Sequence, residues 1–204
     1  MSRRRSEELR LRLAREAARI LAEEGVPDYL AAKRKAMDRL SVDRAQSRRV
    51  LPNNVEIQEA LAEHQRLFQS RSQPDRLRQL RETAIQAMRL LEGFAPRLVG
   101  GVLDGSATLH EGVKLHVFAD PPEEVLMFLM DQGIPVESDE RRLRRHDGIH
   151  ASYPVYRFMA GDVGVELTLF ADRERGHPPR SPVDGAPMPR ASLTEVEELL
   201  LVEA

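Results

Sequence analysis

A glycine pair and a lysine are the residues of this sequence best suited to handling phosphate. Gly100-Gly101 follows the apolar pair Leu98-Val99, and Lys114 sits in the alternating stretch Val113-Lys114-Leu115-His116-Val117-Phe118. Backbone N–H groups bared by a glycine turn, with one ammonium beside them, can hold a phosphate oxygen without metal. Gly100, Gly101 and Lys114 are therefore the candidate nucleotide-binding residues. The run Arg141-Arg142-Leu143-Arg144-Arg145-His146 offers guanidinium forks that also suit phosphate, and reads as a solvated loop. Other constellations fall short. Gly100, Gly105 and Ser106 imitate the glycine spacing of a P-loop, but no Lys-Ser/Thr or helix follows. His146 and His150 would share a helix face, except that Gly148 places them in a loop; His110 and His116 lack a third zinc ligand. The absence of cysteine excludes disulfides, thiolate zinc sites and thiol nucleophiles. No Gly-x-Ser-x-Gly elbow is present.

The elements that must position these residues fall into two kinds. Leu9, Leu13, Ala17, Ile20 and Leu21 recur at helical spacing after Ser6, a fair N-cap, so residues 6–24 read as a helix ended by Gly25 and Pro27. Asp28 caps a second helix to about Leu40, and residues 41–53 form a polar, arginine-bearing loop. Asn54 caps a third helix carrying Ile57, Leu61 and Leu67-Phe68. Ser70 to Gln73 break the pattern and Pro74 opens a fourth, with Leu77, Leu80, Ala84, Ile85, Met88 and Leu91 on one face. From Pro96 the period changes. Arg97 to Leu103 reads as a strand entering a glycine turn, and Val113 to Phe118 as a half-buried strand. Pro121-Pro122 starts a helix closed by Gly133; Ile134 to Glu137 is a short edge strand. Tyr153 to Phe158 and Val163 to Phe170 flank Gly161-Asp162 as a hairpin. A Pro/Arg/Gly-rich arm leads to a last helix, where Ser192 and Glu195 form a capping box.

The succession Val99-Gly100-Gly101, a spacer Val102 to Glu111, then Gly112-Val113-Lys114-Leu115 resembles the polymerase-beta-type nucleotidyltransferase superfamily. The likeness spans about residues 95–172. It implies an α+β fold: a helical N-terminal region packed on a small mixed β-sheet with flanking helices. The expected division is 1–94 helical, 95–172 nucleotidyltransferase-like, and 173–204 the arm and final helix. In that family two carboxylates, two residues apart on a strand, hold Mg²⁺, and a third acid stands on a neighbouring strand. Glu166 in Val165-Glu166-Leu167 matches the third acid, which makes it the catalytic candidate. Gly112 and Lys114 stand where the first two should be. Glycine offers no ligand and lysine opposes a cation, so Glu166 alone would bind Mg²⁺ weakly. Glu111 and Asp104 are the acids near enough to substitute. The resemblance thus implies a nucleotide-binding or interaction module impaired in metal-dependent catalysis, with no certain cofactor. An active enzyme with a rearranged acid set, using Mg²⁺, is the alternative.

Charge distribution raises a third reading. Residues 1–97 hold 21 Lys/Arg against 14 Asp/Glu, while the remainder is acidic, for an overall charge of −2. Such halves should attract each other, and the basic one could also serve a nucleic-acid adaptor or contact a protein partner. Scarce aromatics (three Tyr, six Phe, no Trp) give little for a base-stacking platform. No stretch is apolar enough to span a membrane, and charges follow the N-terminal arginines where a signal peptide needs an apolar core, so a cytoplasmic location is expected.

Overall fold

The computed structural model describes residues 3–26, 28–43, 47, 49–68 and 73–202. Its chain divides into two units, one of residues 1–74, 108–110 and 182–184, the other of residues 75–107, 111–181 and 185–204.

The first unit is built on α1 (Arg3–Glu24), α2 (Tyr29–Arg39) and α3 (Asn54–Phe68). Leu13, Ala17 and Ile20 of α1, Ala32 and Ala36 of α2, and Ile57 and Leu61 of α3 form its core. Small side chains on α1 and α2 let these helices approach closely. α1 begins three residues before the expected Ser6. Gly25, at φ +60°, supplies the left-handed exit from it, and Pro27 lies outside the described residues. Asp28 caps α2 as expected, accepting the Ala31 N–H at 2.8 Å. The cap of α3 is Asn53 rather than Asn54. Asn53 accepts the Glu56 N–H, and the Glu56 carboxylate accepts the Asn53 N–H. Within the expected loop, Ser47, Arg49 and Val50 are helical, and Val50 is buried in the core. Leu67, expected to face inward, is exposed. The expected break at 70–73 falls mostly outside the described residues.

The second unit is α+β. After α4 (Gln73–Leu90) come β1 (Arg97–Val99), the single-turn α5 (Gly101–Asp104), β2 (Val113–Phe118) and α6 (Glu123–Asp131). Then follow β3 (Glu137–Arg144), β4 (His150–Ala160), β5 (Val163–Phe170) and α7 (Leu193–Val202). The sheet order is β1-β2-β5-β4-β3, with β2 parallel to β5 and every other pair antiparallel. Leu80 and Met88 from α4, Leu91 just after it, and Val125 and Leu129 from α6 pack with Leu98, Leu115 and Leu167 in one core. The other sheet face, to which the alternate residues of each strand point, carries a small aromatic cluster of Phe118, Tyr153 and Phe170 at one end and polar side chains toward the other.

Two expectations about strands are corrected. β1 stops at Val99 because Gly100 takes φ +74°, which ends extended backbone, so Val102 and Leu103 belong to a helical turn. The edge strand runs over Glu137–Arg144 instead of residues 134–137, and it takes in Arg141 to Arg144 of the run expected to be a loop, leaving Arg145 and His146 outside it. An edge strand exposed on both faces has no apolar alternation by which to be recognised, and charge is what such edges favour. Beyond Phe170, the arm is pinned to the aromatic end of that second sheet face by Arg190. Its guanidinium lies over the Phe118 and Phe170 rings, and its Nε donates to His116 Nδ1 at 3.0 Å. Burial, then the charges of Arg190 and Arg141, hold the His116 imidazole well below its ordinary pKa, so it is neutral and free to accept. The Ser192–Glu195 capping box of α7 is present. No helix among the described residues is long and apolar enough to cross a membrane.

Candidate functional site

The glycine turn, Lys114 and Glu166 meet at the polar end of the sheet face opposite the main core. In the ladder Val99 pairs with Lys114, Lys114 with Glu166, Glu166 with Arg157, and Arg157 with Glu137. A single row across the sheet therefore reads lysine, glutamate, arginine, glutamate, alternating in sign. The Lys114 stem runs past Gly100, since a Cβ placed there would lie 3.7 Å from Lys114 Cδ. Gly101 is wedged more tightly. A Cβ there would come within 2.7 Å of Glu111 Oε2 and 2.9 Å of the Ala107 backbone. Both glycines are accordingly needed by the turn itself, Gly100 for its dihedral and Gly101 for its neighbours.

Three charged groups of the row, those of Lys114, Glu166 and Arg157, have partners. Lys114 Nζ donates to Glu111 Oε1 at 2.5 Å. Glu166 takes both nitrogens of the Arg141 fork, at 2.5 and 2.8 Å, and Arg157 Nε at 3.0 Å. Arg157 also reaches Asp139 at 2.8 Å. Burial alone would raise the Glu166 pKa. The Arg141 hydrogen bonds and charge, helped by Arg157 and Lys114, overcome it and leave the carboxyl below the usual glutamate value. Arg141 and Arg157 were the partners not foreseen. The signal for Arg157 lay in the alternation of Tyr153 to Phe158, which sets it on the face opposite Phe158.

Next to the charged row the face is hollow. Gly112 precedes the first ladder pair of β2 beside Gly164 of β5, and neither carries a side chain. A concave cavity of ≈ 510 Å³ opens there, bordered by Lys114, Glu166, Arg157, Glu137 and Met159. Gly112 has no room for anything larger, since a Cβ would sit 2.2 Å from the Gly164 carbonyl oxygen.

These donors do not suit a divalent ion. Oxygens for Mg²⁺ must be free to converge at about 2.1 Å. Glu166 is spent on two guanidinium groups and Glu111 on Lys114, while Asp104 accepts from the Ser106 N–H and hydroxyl. Among the described residues no three His, Asp or Glu side chains gather as a metal set. Some of the arginines of the first unit are bound by its own acids. Arg10 forms a two-pronged bridge to Glu56, Arg19 binds Glu16 and Glu23, and Arg39 binds Glu16 and Glu24.

No protein-family model matches the chain, and no curated protein matches its sequence.

Proposed function

We propose that this protein is a nucleotidyltransferase-like module that binds a nucleotide, or another compact phosphate ester, without metal and does not transfer it. The observation that carries the reading is the placing of Lys114 beside the Gly100-Gly101 turn, on the strand parallel to that of Glu166. In the superfamily that the sequence resembles, an ion held by acids on this strand would clamp the triphosphate; in this reading the Lys114 ammonium takes its place. An incoming phosphate would compete with Glu111 for the Lys114 ammonium. This exchange of one anion for another is available at the rim of an open cavity and needs no divalent ion.

Thermal unfolding with nucleoside triphosphates tests the reading. A ligand at about ten times its Kd stabilises by about 1.4 kcal/mol, worth roughly 3–5 °C for a chain of this size. The rise is expected to be the same with Mg²⁺ and with a chelator, and to vanish in Lys114→Met. No labelled nucleotide should pass to protein, RNA or small acceptors. Magnesium-dependent transfer would show an active enzyme instead, and indifference to every triphosphate would remove the binding reading.

A further inference from the structure

β3 is the outermost strand of the sheet, and among the described residues its only ladder is with β4. At its far end the Arg180 N–H donates to the Arg144 carbonyl at 2.7 Å, from outside that ladder. Main-chain groups of a strand point alternately to one side and the other. The Arg144 contact therefore sets Ser138, Glu140 and Arg142 as the residues whose N–H and C=O groups point away from β4. No other backbone partner meets them among the described residues, apart from Glu140 N–H, which the adjacent Asp139 carboxylate accepts. Proline at 154 agrees with this phase: it stands opposite Glu140, where no ladder hydrogen bond toward β3 is required of it.

Charge along this edge is polarised. Glu137, Asp139 and Glu140 fill the first half, and Arg141, Arg142 and Arg144 the second. Arg141 and Asp139 are bound within the sheet, to Glu166 and Arg157. Glu140, Arg142 and Arg144 are exposed and form no ion pair among the described residues. A long, unpaired edge whose free charges change sign midway is complementary to one partner above others, an antiparallel copy of itself.

We propose that two copies of this protein associate through β3, edge to edge and antiparallel, about a twofold axis normal to the sheet near Arg141. That symmetry keeps like faces together, so residues of equal phase lie opposite each other. Glu140 then faces Arg142 of the second copy, twice over, and each pair exchanges its outward N–H and C=O groups, the Glu140 N–H turning from its own Asp139 carboxylate to the Arg142 carbonyl of the second copy. The two Arg141 side chains meet near the axis, each neutralised by its own Glu166 fork. Parallel pairing would instead set acid beside acid and arginine beside arginine. The ladder ends where Arg180 already holds Arg144. An interface this narrow lies at the small end of specific association, so a weak, salt-sensitive dimer is expected. The proposal holds whether or not the cavity takes a nucleotide.

Sedimentation or light scattering of the full chain tests it, in low salt and up to about 100 µM, the range suited to small interfaces. The wild-type protein should form dimers, with a Kd raised at least about tenfold in high salt. Two strand variants, Ser138→Lys/Glu140→Lys and Arg142→Glu/Arg144→Glu, should each be monomeric, and should form a heterodimer when mixed. Arg142→Pro removes one outward N–H without touching the β3–β4 ladder and should also give monomer, with folding checked by circular dichroism. A wild-type protein that stays monomeric, or a dimer that survives both charge variants, overturns the proposal.

Discussion

Gly112→Asp, which would put an acid where the sequence resemblance expects the first one, is expected to destabilise the second unit instead of activating it. The Cβ alone would stand 2.2 Å from the Gly164 carbonyl oxygen, a distance no packed pair of atoms tolerates. The obstacle is main chain on the neighbouring strand, so relief requires β2 and β5 to part. Both strands carry fully buried residues next to this point, Val113 and Leu115 on one and Val165 and Leu167 on the other. Overpacking of this kind costs about 3 kcal/mol, which lowers the melting temperature by roughly 6–12 °C. The aspartate adds repulsion between its carboxylate and the carbonyl it meets. Gly112→Ala separates the two effects, since it keeps the clash and lacks the charge. Thermal and urea unfolding of both variants provide the measurement. If Gly112→Asp melts with the wild type, or if Gly112→Asp/Lys114→Asp gains magnesium-dependent transfer, the strands have room that the packing denies.

That tightness marks where sequence reasoning stops. The core stripe of α4, the Gly161-Asp162 hairpin and the Ser192–Glu195 box were all legible, because periodicity, glycine and capping chemistry act locally. Coarse α+β class follows from those. β3 was not legible as a strand, because Glu137 to Arg144 owes its extended form to pairing with β4 and has no buried face of its own. The helical turn at Gly101 was hidden for a related reason. Val102 and Leu103 suit a strand by composition, and only the positive φ of Gly100 turns the chain. At the site, the sequence supplied Gly100, Gly101, Lys114 and Glu166 as separate candidates, and strand order brings them to one end of one face. What it could not supply was the company of Glu166. Two arginines from two other strands meet that carboxylate through a register that no single segment encodes.

Glu166→Gln should therefore unfold the protein at a lower temperature, whatever it does to activity. The carboxylate accepts three hydrogen bonds from two guanidinium groups, and its side chain is only 14% exposed. An amide keeps one acceptor oxygen and turns an NH₂ group toward arginine donors, leaving Arg141 and half of Arg157 without their anion. Breaking a fully buried pair costs about 3–5 kcal/mol. Both arginines are partly in water, where such charges are screened, so about 2 kcal/mol is the expected loss here. A purely catalytic carboxylate would behave otherwise, with turnover gone and melting temperature unchanged. The pH dependence has a definite sign. The folded-state pKa of Glu166 is lowered, so its contribution is fully present above the ordinary value of 4.5 and is lost as pH falls through the folded value. Below pH 4.5 the wild-type melting temperature should fall toward that of Glu166→Gln, and the gap between them should be widest near neutrality. Removing both members of the closest pair gives the complementary test. Glu166→Leu/Arg141→Leu abolishes the uncompensated charge and leaves Arg157 to Asp139, so it should recover much of what either single substitution loses. A double variant no more stable than Glu166→Leu alone would mean that Glu166 is held by something other than these arginines.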